Sequence, residues 1–272
     1  MKRMCKVLGV QRSGYYAWKK RPLSHRAKAN EELLVKILEA FESSRRTYGS
    51  LRIHHYWLRK GCSYSRYRIA RLMRKAHLVP LKAQKWHPQT TKQRLGARTA
   101  PNLLNREFEA SRPNEKWVGD ITYIDTAEGW LYLASLLDLY SRRIVGWAMA
   151  DRMDTDLVEK AWKMALQHRR PPAQLLHHTD RGSQYTSEAY LKSVENAKCT
   201  LSMSRTGNCY DNAVMESFHA TLKGECAYQQ FETKAQARTT IFEFIEVWYN
   251  RQRLHSFLGY KSPAEFEQFS GH

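Results

Sequence analysis

The second half of the chain carries short apolar runs whose order leaves few folds open. Three runs rich in β-branched and aromatic residues come first, each separated from the next by a short polar turn: 117–124 (WVGDITYI), 130–139 (WLYLASLLDL) and 143–150 (RIVGWAMA). Helix and strand patterns then alternate: a helix at 155–168, a strand at 174–179, a helix at 187–198, a strand at 200–204 and a helix at 211–223. A strand meander followed by this alternation predicts an α/β domain built on one mixed sheet.

That order of elements is typical of an RNase H-like fold, which we expect for residues 113–228. One more amphipathic helix is predicted from about Thr233 to Tyr249. We expect this helix and the remaining tail, residues 229–272, to pack on the core.

The first 85 residues predict a small all-helical region instead. The predicted helices are Met4–Leu8, Ser13–Trp18 with Ser13 as N-cap, Ala27–Phe41, Gly49–Lys60 closed by Gly61, and Ser65–His77 opened by Ser65. The first two, separated by a break at Gly9, predict a small helix-turn-helix. Residues 86–112 have weak periodicity and several prolines, and they predict a basic linker.

The excess of positive over negative charge lies entirely in the front part of the chain. Residues 1–116 hold 28 Lys and Arg against 7 Asp and Glu, whereas residues 117–272 hold 17 against 19. A net charge of +21 in 116 residues favours a nucleic-acid partner over a membrane surface, since no long one-sided apolar face accompanies it. A merely solvated surface is the alternative. The candidate DNA-binding cations of the front part are Arg52, Arg66, Arg68, Arg71, Arg74, Lys75, Lys82 and Lys85.

Other classes of protein fit the sequence poorly. With 42% apolar residues the chain is expected to fold, and it has neither an eighteen-residue apolar run nor an N-terminal signal pattern. The five cysteines are scattered, so neither a zinc ribbon nor a disulfide framework is indicated. We expect a cytoplasmic, nucleoid-associated bacterial protein without membrane contact.

Three acids stand where chemistry is expected. Asp120 lies inside the first strand, Asp180 directly follows the fourth, and Glu216 lies on the helix 211–223. Buried carboxylates in such places need a cation, and two Mg²⁺ ions require hard oxygen ligands with room for a phosphate. The sequence therefore predicts a two-metal site formed by these three residues, with Mn²⁺ as an alternative ion.

Several longer sequence segments resemble one known family, the orfB-type transposases of the IS-three family of bacterial insertion sequences. Asp180 and Glu216 have 35 residues between them, the spacing of DDE transposases and retroviral integrases. The resemblance is carried by HTDRGSQYTS (178–187), SMSRTGNCYDNAVMESFHATLK (202–223), YNRQRLHSFLGYKSPAEF (249–266) and the helix-turn-helix-like stretch 48–78.

The resemblance implies a catalytic subunit that cleaves the 3′ ends of an insertion sequence and joins them to target DNA. It implies that Asp120, Asp180 and Glu216 hold the metal ions. It also implies double-stranded DNA as partner, a homo-oligomer on that DNA, and an upstream-frame protein, separate or fused. Further residues expected near DNA are His178, Arg181, Arg205, Asn208, Asn212 and Lys223.

Several of these residues have a structural alternative. Strand alternation predicts that one of His177 and His178 faces the core, and His178 is favoured for the site. Lys223 lies two helical turns after Glu216, where its amine can reach a phosphate. The other functions that remain open are a metal-dependent nuclease or resolvase with an RNase H-like fold, and a DNA-binding regulator.

Overall fold

The structure is a computed structural model that describes residues 1–81, 99–205, 208–227 and 230–269. The chain divides into two compact units, Met1–Pro80 and Leu81–His272. In the described ranges, no helix is long and apolar enough to cross a membrane.

The front unit is helical, as predicted. Its helices are α1 (Lys2–Val7), α2 (Arg12–Lys20), α3 (His25–Ser43), α4 (Ser50–Arg59) and α5 (Arg66–Lys75). The predicted N-cap at Ser13 is wrong, because α2 already begins after Gln11 and Ser13 lies inside it. The side chain that caps a helix here is that of Ser24, whose Oγ accepts a hydrogen bond from the Ala27 amide at the start of α3.

The last three helices of this unit share a small core. Its centre is formed by one isoleucine from each helix, Ile37, Ile53 and Ile69, all completely buried. Gly61 adopts a φ of 79° in the turn between α4 and α5, a conformation that glycine tolerates without steric cost. α4 and α5 therefore form the helix-turn-helix expected from the stretch 48–78.

The second unit is built on a five-stranded mixed sheet. Its strands are β1 (Lys116–Ile124), β2 (Leu131–Asp138), β3 (Ile144–Ala150), β4 (Leu176–Thr179) and β5 (Thr200–Met203), in the order β3-β2-β1-β4-β5. The first three pair antiparallel, and β4 runs parallel to both β1 and β5. This is the sheet of an RNase H-like integrase core, so the predicted fold class is confirmed.

Helices cover both faces of the sheet. They are α6 (Thr155–Arg169), α7 (Glu188–Asn196), α8 (Ala213–Glu225), α9 (Lys234–Glu243) and α10 (Pro263–Phe269). On one face α6 and α7 bury an apolar cluster with Trp117 and Trp162 at its centre. The α6 backbone comes so close to β3 that a Cβ on Gly146 would lie 2.3 Å from the Ala161 carbonyl oxygen.

The helix predicted from about Thr233 to Tyr249 has two parts. α9 ends at Glu243 and continues into a π-type turn over Phe244–Tyr249. The further helix α10 was not predicted. Asn250 anchors this region to β3, since its side chain accepts a hydrogen bond from the Ile144 amide and donates one to the Ile144 carbonyl. Glu267 of α10 accepts hydrogen bonds from Arg143 and Arg169.

Part of the predicted linker is packed against the second unit. Residues 99–108, which we call the strap, contain no helix or strand, yet Leu104 is buried. The amides of Leu103 and Leu104 donate to the Ser202 hydroxyl on β5, at 2.9 and 3.1 Å. Side-chain hydrogen bonds, which leave no periodic pattern in the sequence, hold the strap in place.

Candidate active site

Asp120 lies near the middle of β1, opposite Ser135 of β2. Its carboxylate accepts a hydrogen bond from the Ile121 amide at 2.9 Å, and 22% of the side chain is exposed. Strand alternation turns its neighbours Gly119 and Ile121 towards the α6 face, so Asp120 faces the side covered by α8.

Asp180 is the first residue after β4. Its carboxylate accepts a hydrogen bond from the Gly182 amide at 2.9 Å, which fixes the turn that leaves the strand. β4 runs parallel to β1, and the pair Val118–His178 places the carboxyl end of β4 beside the middle of β1. This register brings Asp180 next to Asp120.

Glu216 lies in the first turn of α8, and it is half-buried. The same helix buries Met215, Phe218 and Leu222 against the core, so its orientation is fixed by packing. A carboxylate in the first turn is also favoured by the positive end of the helix dipole. The predicted positions of all three acids agree with the structure.

Two of these acids have raised pKa values. Burial raises the pKa of Asp120 well above its usual range, and the negative charge of Asp180, followed by that of Glu216, raises it further. Burial also raises the pKa of Glu216. In the ranges that the structure describes, however, no three His, Cys, Asp or Glu side chains lie close enough together to enclose an ion as they stand.

His219 is a site residue that the sequence reasoning missed. It lies one turn after Glu216 on α8, with its Nδ1 3.7 Å from the Asp120 carboxylate and its Nε2 3.5 Å from the Ser135 hydroxyl. Burial, followed by the charge of Lys223, lowers the pKa of His219 to about 3, so the ring is neutral at neutral pH. The available signal was its i+3 spacing from Glu216.

Lys223 reaches the same edge of the sheet from the next turns of α8. Its amine lies 4.5 Å from the centre of the Tyr123 ring. Burial lowers the pKa of Lys223, while the charge of Asp120 acts in the opposite direction. Lys223 is thus close enough to Asp120 for the two charges to interact.

The expectation that His178 contacts DNA is wrong. His178 is completely buried, and its Nδ1 and Nε2 lie 2.8 and 3.0 Å from the hydroxyls of Ser202 and Ser204. Its neighbour His177 is also buried, stacked on Trp162 with its Nε2 2.7 Å from the Tyr190 hydroxyl. Both faces of β4 are covered, so neither histidine reaches solvent.

Two other predicted DNA contacts have structural partners. The Arg205 guanidinium donates to both carboxylate oxygens of buried Asp211, at 2.8 and 3.0 Å. Asn212 is buried and donates to the Gly119 carbonyl of β1. Arg205 is still half-exposed. Asn212 is not available to DNA, so the expectation that Asn212 contacts DNA is wrong.

The remaining candidates differ in exposure. Arg181 and Asn208 are half-buried.

In the front unit, the exposed candidates lie on α5 and are Arg66, Arg71, Arg74 and Lys75. Arg68 donates to the Asn30 side chain on α3, and the Arg52 guanidinium lies 5.7 Å from the centre of the Tyr48 ring. Lys82 and Lys85, together with Gly207 of the loop before α8, lie outside the described residues.

Family comparisons agree with this architecture. One family model described as an integrase core domain matches residues 110–209, and a second with the same description matches residues 197–263. A model described as an HTH-like domain matches residues 28–86. These matches and the fold define a polynucleotidyl transferase of the DDE class.

Relatives of similar length identify the family. The chain is 46% identical over 266 residues to the 31 kDa protein of insertion element IS600 from Shigella sonnei, covering 97% of each. It is 40% identical over 270 residues to transposase InsF of insertion sequence IS3A from Escherichia coli (strain K12), covering 98% of this chain and 93% of InsF. The solved catalytic core of HTLV-2 integrase in complex with magnesium is 15% identical, with a TM-score of 0.45 over 58% of this chain and 98% of that one. The chain belongs to the IS3 family of insertion-sequence transposases.

Proposed function

We propose that Asp120, Asp180 and Glu216 are the catalytic acids with which this DNA transposase cleaves the 3′ ends of its element and joins them to target DNA. The observation that carries this assignment is geometric: Asp120 lies in β1, Asp180 directly follows the parallel strand β4, and Glu216 lies on α8, close enough that the charges of Asp180 and Glu216 act on Asp120. The raised pKa of half-buried Asp120 supports it.

The residues present fit divalent metal ions. The acids supply oxygen ligands only, each is half-buried and therefore open to a ligand, and their mutual repulsion is relieved by positive charge. We propose two Mg²⁺ ions, with Mn²⁺ as a substitute. When bound, such ions activate the attacking oxygen and stabilise the leaving oxygen of a phosphodiester.

The protein's own residues have separate tasks around this centre. Asp120 and Asp180, on rigid parts of the sheet, hold ligand positions, and Glu216 adds a third from α8. Neutral His219 stands beside Asp120 without adding a second positive charge. Lys223 is proposed to hold a DNA phosphate at the edge of the site, since its amine is close to Asp120 but on a later turn than Glu216.

We propose that the chain is organised as a basic helical DNA-binding region (1–85), a basic linker (86–112), the DDE core (113–228) and a C-terminal segment (229–272). The exposed cations of α5 support binding of double-stranded DNA by the first of these. We also propose that the protein acts as a homo-oligomer on DNA of the bacterial nucleoid, with an upstream-frame protein, separate or fused.

Three isosteric substitutions test the assignment. Asp120→Asn, Asp180→Asn and Glu216→Gln keep side-chain volume but remove one negative ligand each, so cleavage of an end-bearing duplex with Mg²⁺ should fall at least 1,000-fold, or roughly 4 kcal/mol. Binding of the same duplex should stay within about twofold. Asp156→Asn, an exposed acid on α6, is the control and should cleave normally.

The product distinguishes transposase from nuclease. A labelled 3′ end covalently joined to target DNA supports the proposal, whereas cleaved ends that never join indicate hydrolysis only. Near-normal cleavage by any of the three variants would remove that residue from the set of metal ligands.

A further inference from the structure

The strap connects to the catalytic helix through one buried carboxylate. Asp211 lies in the short 3-10 turn Cys209–Asn212 directly before α8, and its side chain is fully buried. Two strap residues bond to it: the Asn102 amide donates at 2.9 Å, and the Arg106 guanidinium donates at 2.9 Å. The strap lies before residue 110, where the integrase-core match begins.

Arg205 completes the set of partners. Its backbone amide and its guanidinium both donate to Asp211, so a single carboxylate joins the strap, the end of β5 and the start of α8. The hydrogen bonds from Arg205, and then from Arg106, hold the pKa of Asp211 well below its usual range. Asp211 is therefore a permanently charged anchor.

A second set of hydrogen bonds holds the strap to the sheet. The Ser202 oxygen accepts from the amides of Leu103 and Leu104, which use its lone pairs, so its proton must be donated to Nδ1 of His178. The other ring nitrogen then carries the proton and donates to Ser204. His178 is thus fixed as the Nε2–H tautomer and links the strap to β4.

Both connections end next to the proposed catalytic acids. His178 lies two residues before Asp180 on β4. The turn anchored by Asp211 continues into Asn212, which bonds to the Gly119 carbonyl next to Asp120, and Glu216 follows one helical turn later. A shift of this turn would move Glu216 relative to the other two acids.

We infer that the strap is part of the catalytic core, and that Asp211, held by Arg106 and Asn102 of the strap and by Arg205, is a positioning residue that sets the place of Glu216. This inference rests on the proposed role of Glu216. Both carboxylate oxygens of Asp211 accept hydrogen bonds from strap residues and Arg205, so we assign it no contact with substrate.

Two strap-side variants of the full-length protein test the inference. Asn102→Ala and Arg106→Gln each remove one donor to Asp211 and leave the acids intact. A displaced Glu216 should lower kcat for cleavage at least 10-fold, with KM for the DNA changing less than twofold. Mn²⁺ binding without DNA, followed by electron paramagnetic resonance, should weaken at least fivefold. Arg106→Lys keeps the charge and should recover part of both losses.

Asp138→Asn is the matched control for Asp211→Asn. Asp138 is equally buried, bonds to Arg169 and to backbone amides, and lies at the end of β2 away from α8. Whatever each substitution does to the melting temperature, only Asp211→Asn should weaken Mn²⁺ binding of the folded protein. If Asp211→Asn does not fold, the milder Asn102→Ala and Arg106→Gln decide the question.

The outcomes separate this inference from the proposed function. Normal kcat and normal Mn²⁺ binding in Asn102→Ala and Arg106→Gln, alongside inactive Glu216→Gln, would overturn the positioning role alone. Equal losses of kcat in Asp138→Asn and the strap variants would also overturn it, because they would indicate a general effect of destabilisation. Active Glu216→Gln would instead overturn the assignment of Glu216.

Discussion

Replacing Asp120 by Asn is expected to stabilise the metal-free protein while it abolishes cleavage. In the folded state the carboxylate is partly desolvated and repelled by Asp180 and Glu216, which raises the pKa of Asp120. Asparagine keeps the volume and retains an oxygen that accepts the Ile121 amide. The substitution therefore removes a repulsive charge at little cost in packing.

The size of the effect follows from the loss of one uncompensated charge. A single substitution that relieves such a conflict typically adds about 0.5–2 kcal/mol to the free energy of unfolding. For a unit of 150–250 residues, each kcal/mol corresponds to about 2–4 °C in melting temperature. We therefore expect a rise of several degrees in the presence of a chelator.

The pH dependence of this effect has a definite sign. Because the folded-state pKa of Asp120 is raised above the unfolded value, the folded state binds the proton more tightly, and the wild type loses stability as pH rises through this range. The penalty grows as pH rises above the unfolded-state pKa, so the variant is more stable at neutral pH. Below the unfolded-state pKa, near 4, the carboxyl is protonated in both states and the difference should vanish.

Thermal unfolding of the wild type and of Asp120→Asn between pH 4 and 8, with chelator and with Mg²⁺, measures the difference in melting temperature and its pH dependence. Mg²⁺ should raise the melting temperature of the wild type and leave Asp120→Asn unchanged. Asp211→Asn provides the opposite case: its folded-state pKa is depressed, so the substitution should cost about 1–3 kcal/mol at neutral pH, and less in acid, since the arginine partners are half-exposed. A less stable Asp120→Asn at neutral pH without metal would refute this electrostatic reasoning.

Three further predictions follow from other contacts. Gly146→Ala places a Cβ against the α6 backbone and should cost about 1–3 kcal/mol in thermal melts, whereas Gly14→Ala, in open space on α2, should not destabilise. Lys223→Ala should reduce strand transfer and the affinity for element-end DNA, with unchanged Mg²⁺ dependence. Lys223→Arg should restore much of the loss, and Lys223→Glu should be worse than Lys223→Ala. Wild-type joining by Lys223→Glu would contradict the phosphate contact. Residues 1–80 should bind duplex DNA with a steep dependence on salt, and residues 99–272, which retain the strap, far more weakly, in a fluorescence anisotropy titration; equal affinity at low salt would contradict the proposed division of labour.

The fold class and the three acids could be predicted because both leave local signals. The strands of the meander are continuous apolar runs, and each acid interrupts or ends such an element. Asp120 and Glu216 could be recognised because a carboxylate in apolar surroundings is costly, whatever the details of the tertiary structure. The proximity of Asp120 and Asp180 follows from the parallel pairing of β1 and β4.

The strap and α10 could not be predicted on the same grounds. Residues 99–108 have no periodicity, and their position depends on hydrogen bonds to Ser202 and Asp211, about a hundred residues later in the chain. α10 is a short helix, and its Glu267 is held by Arg143 and Arg169. Pairings of this kind depend on the folded backbone, so local sequence carries no trace of them.

His178 shows where alternation alone is insufficient. The alternation of β4 does place His177 and His178 on opposite faces, as expected. Which face is open depends on what covers it, and here the strap and the turn before α8 cover the His178 side. Burial lowers the pKa of His178 to about 4, so the ring remains neutral and serves as a hydrogen-bond bridge.

The same distinction applies to the arginines. Counting cations predicts a polyanion partner correctly as a class, but it does not separate a cation that meets solvent from one that neutralises a buried acid. Arg66 and Arg71 are exposed on α5, whereas Arg205 is held by Asp211, which would otherwise be a bare charge inside the protein. A buried acid therefore fixes the position of its arginine partners and leaves only their exposed part for DNA, so the number of cations alone does not show where a phosphate can bind.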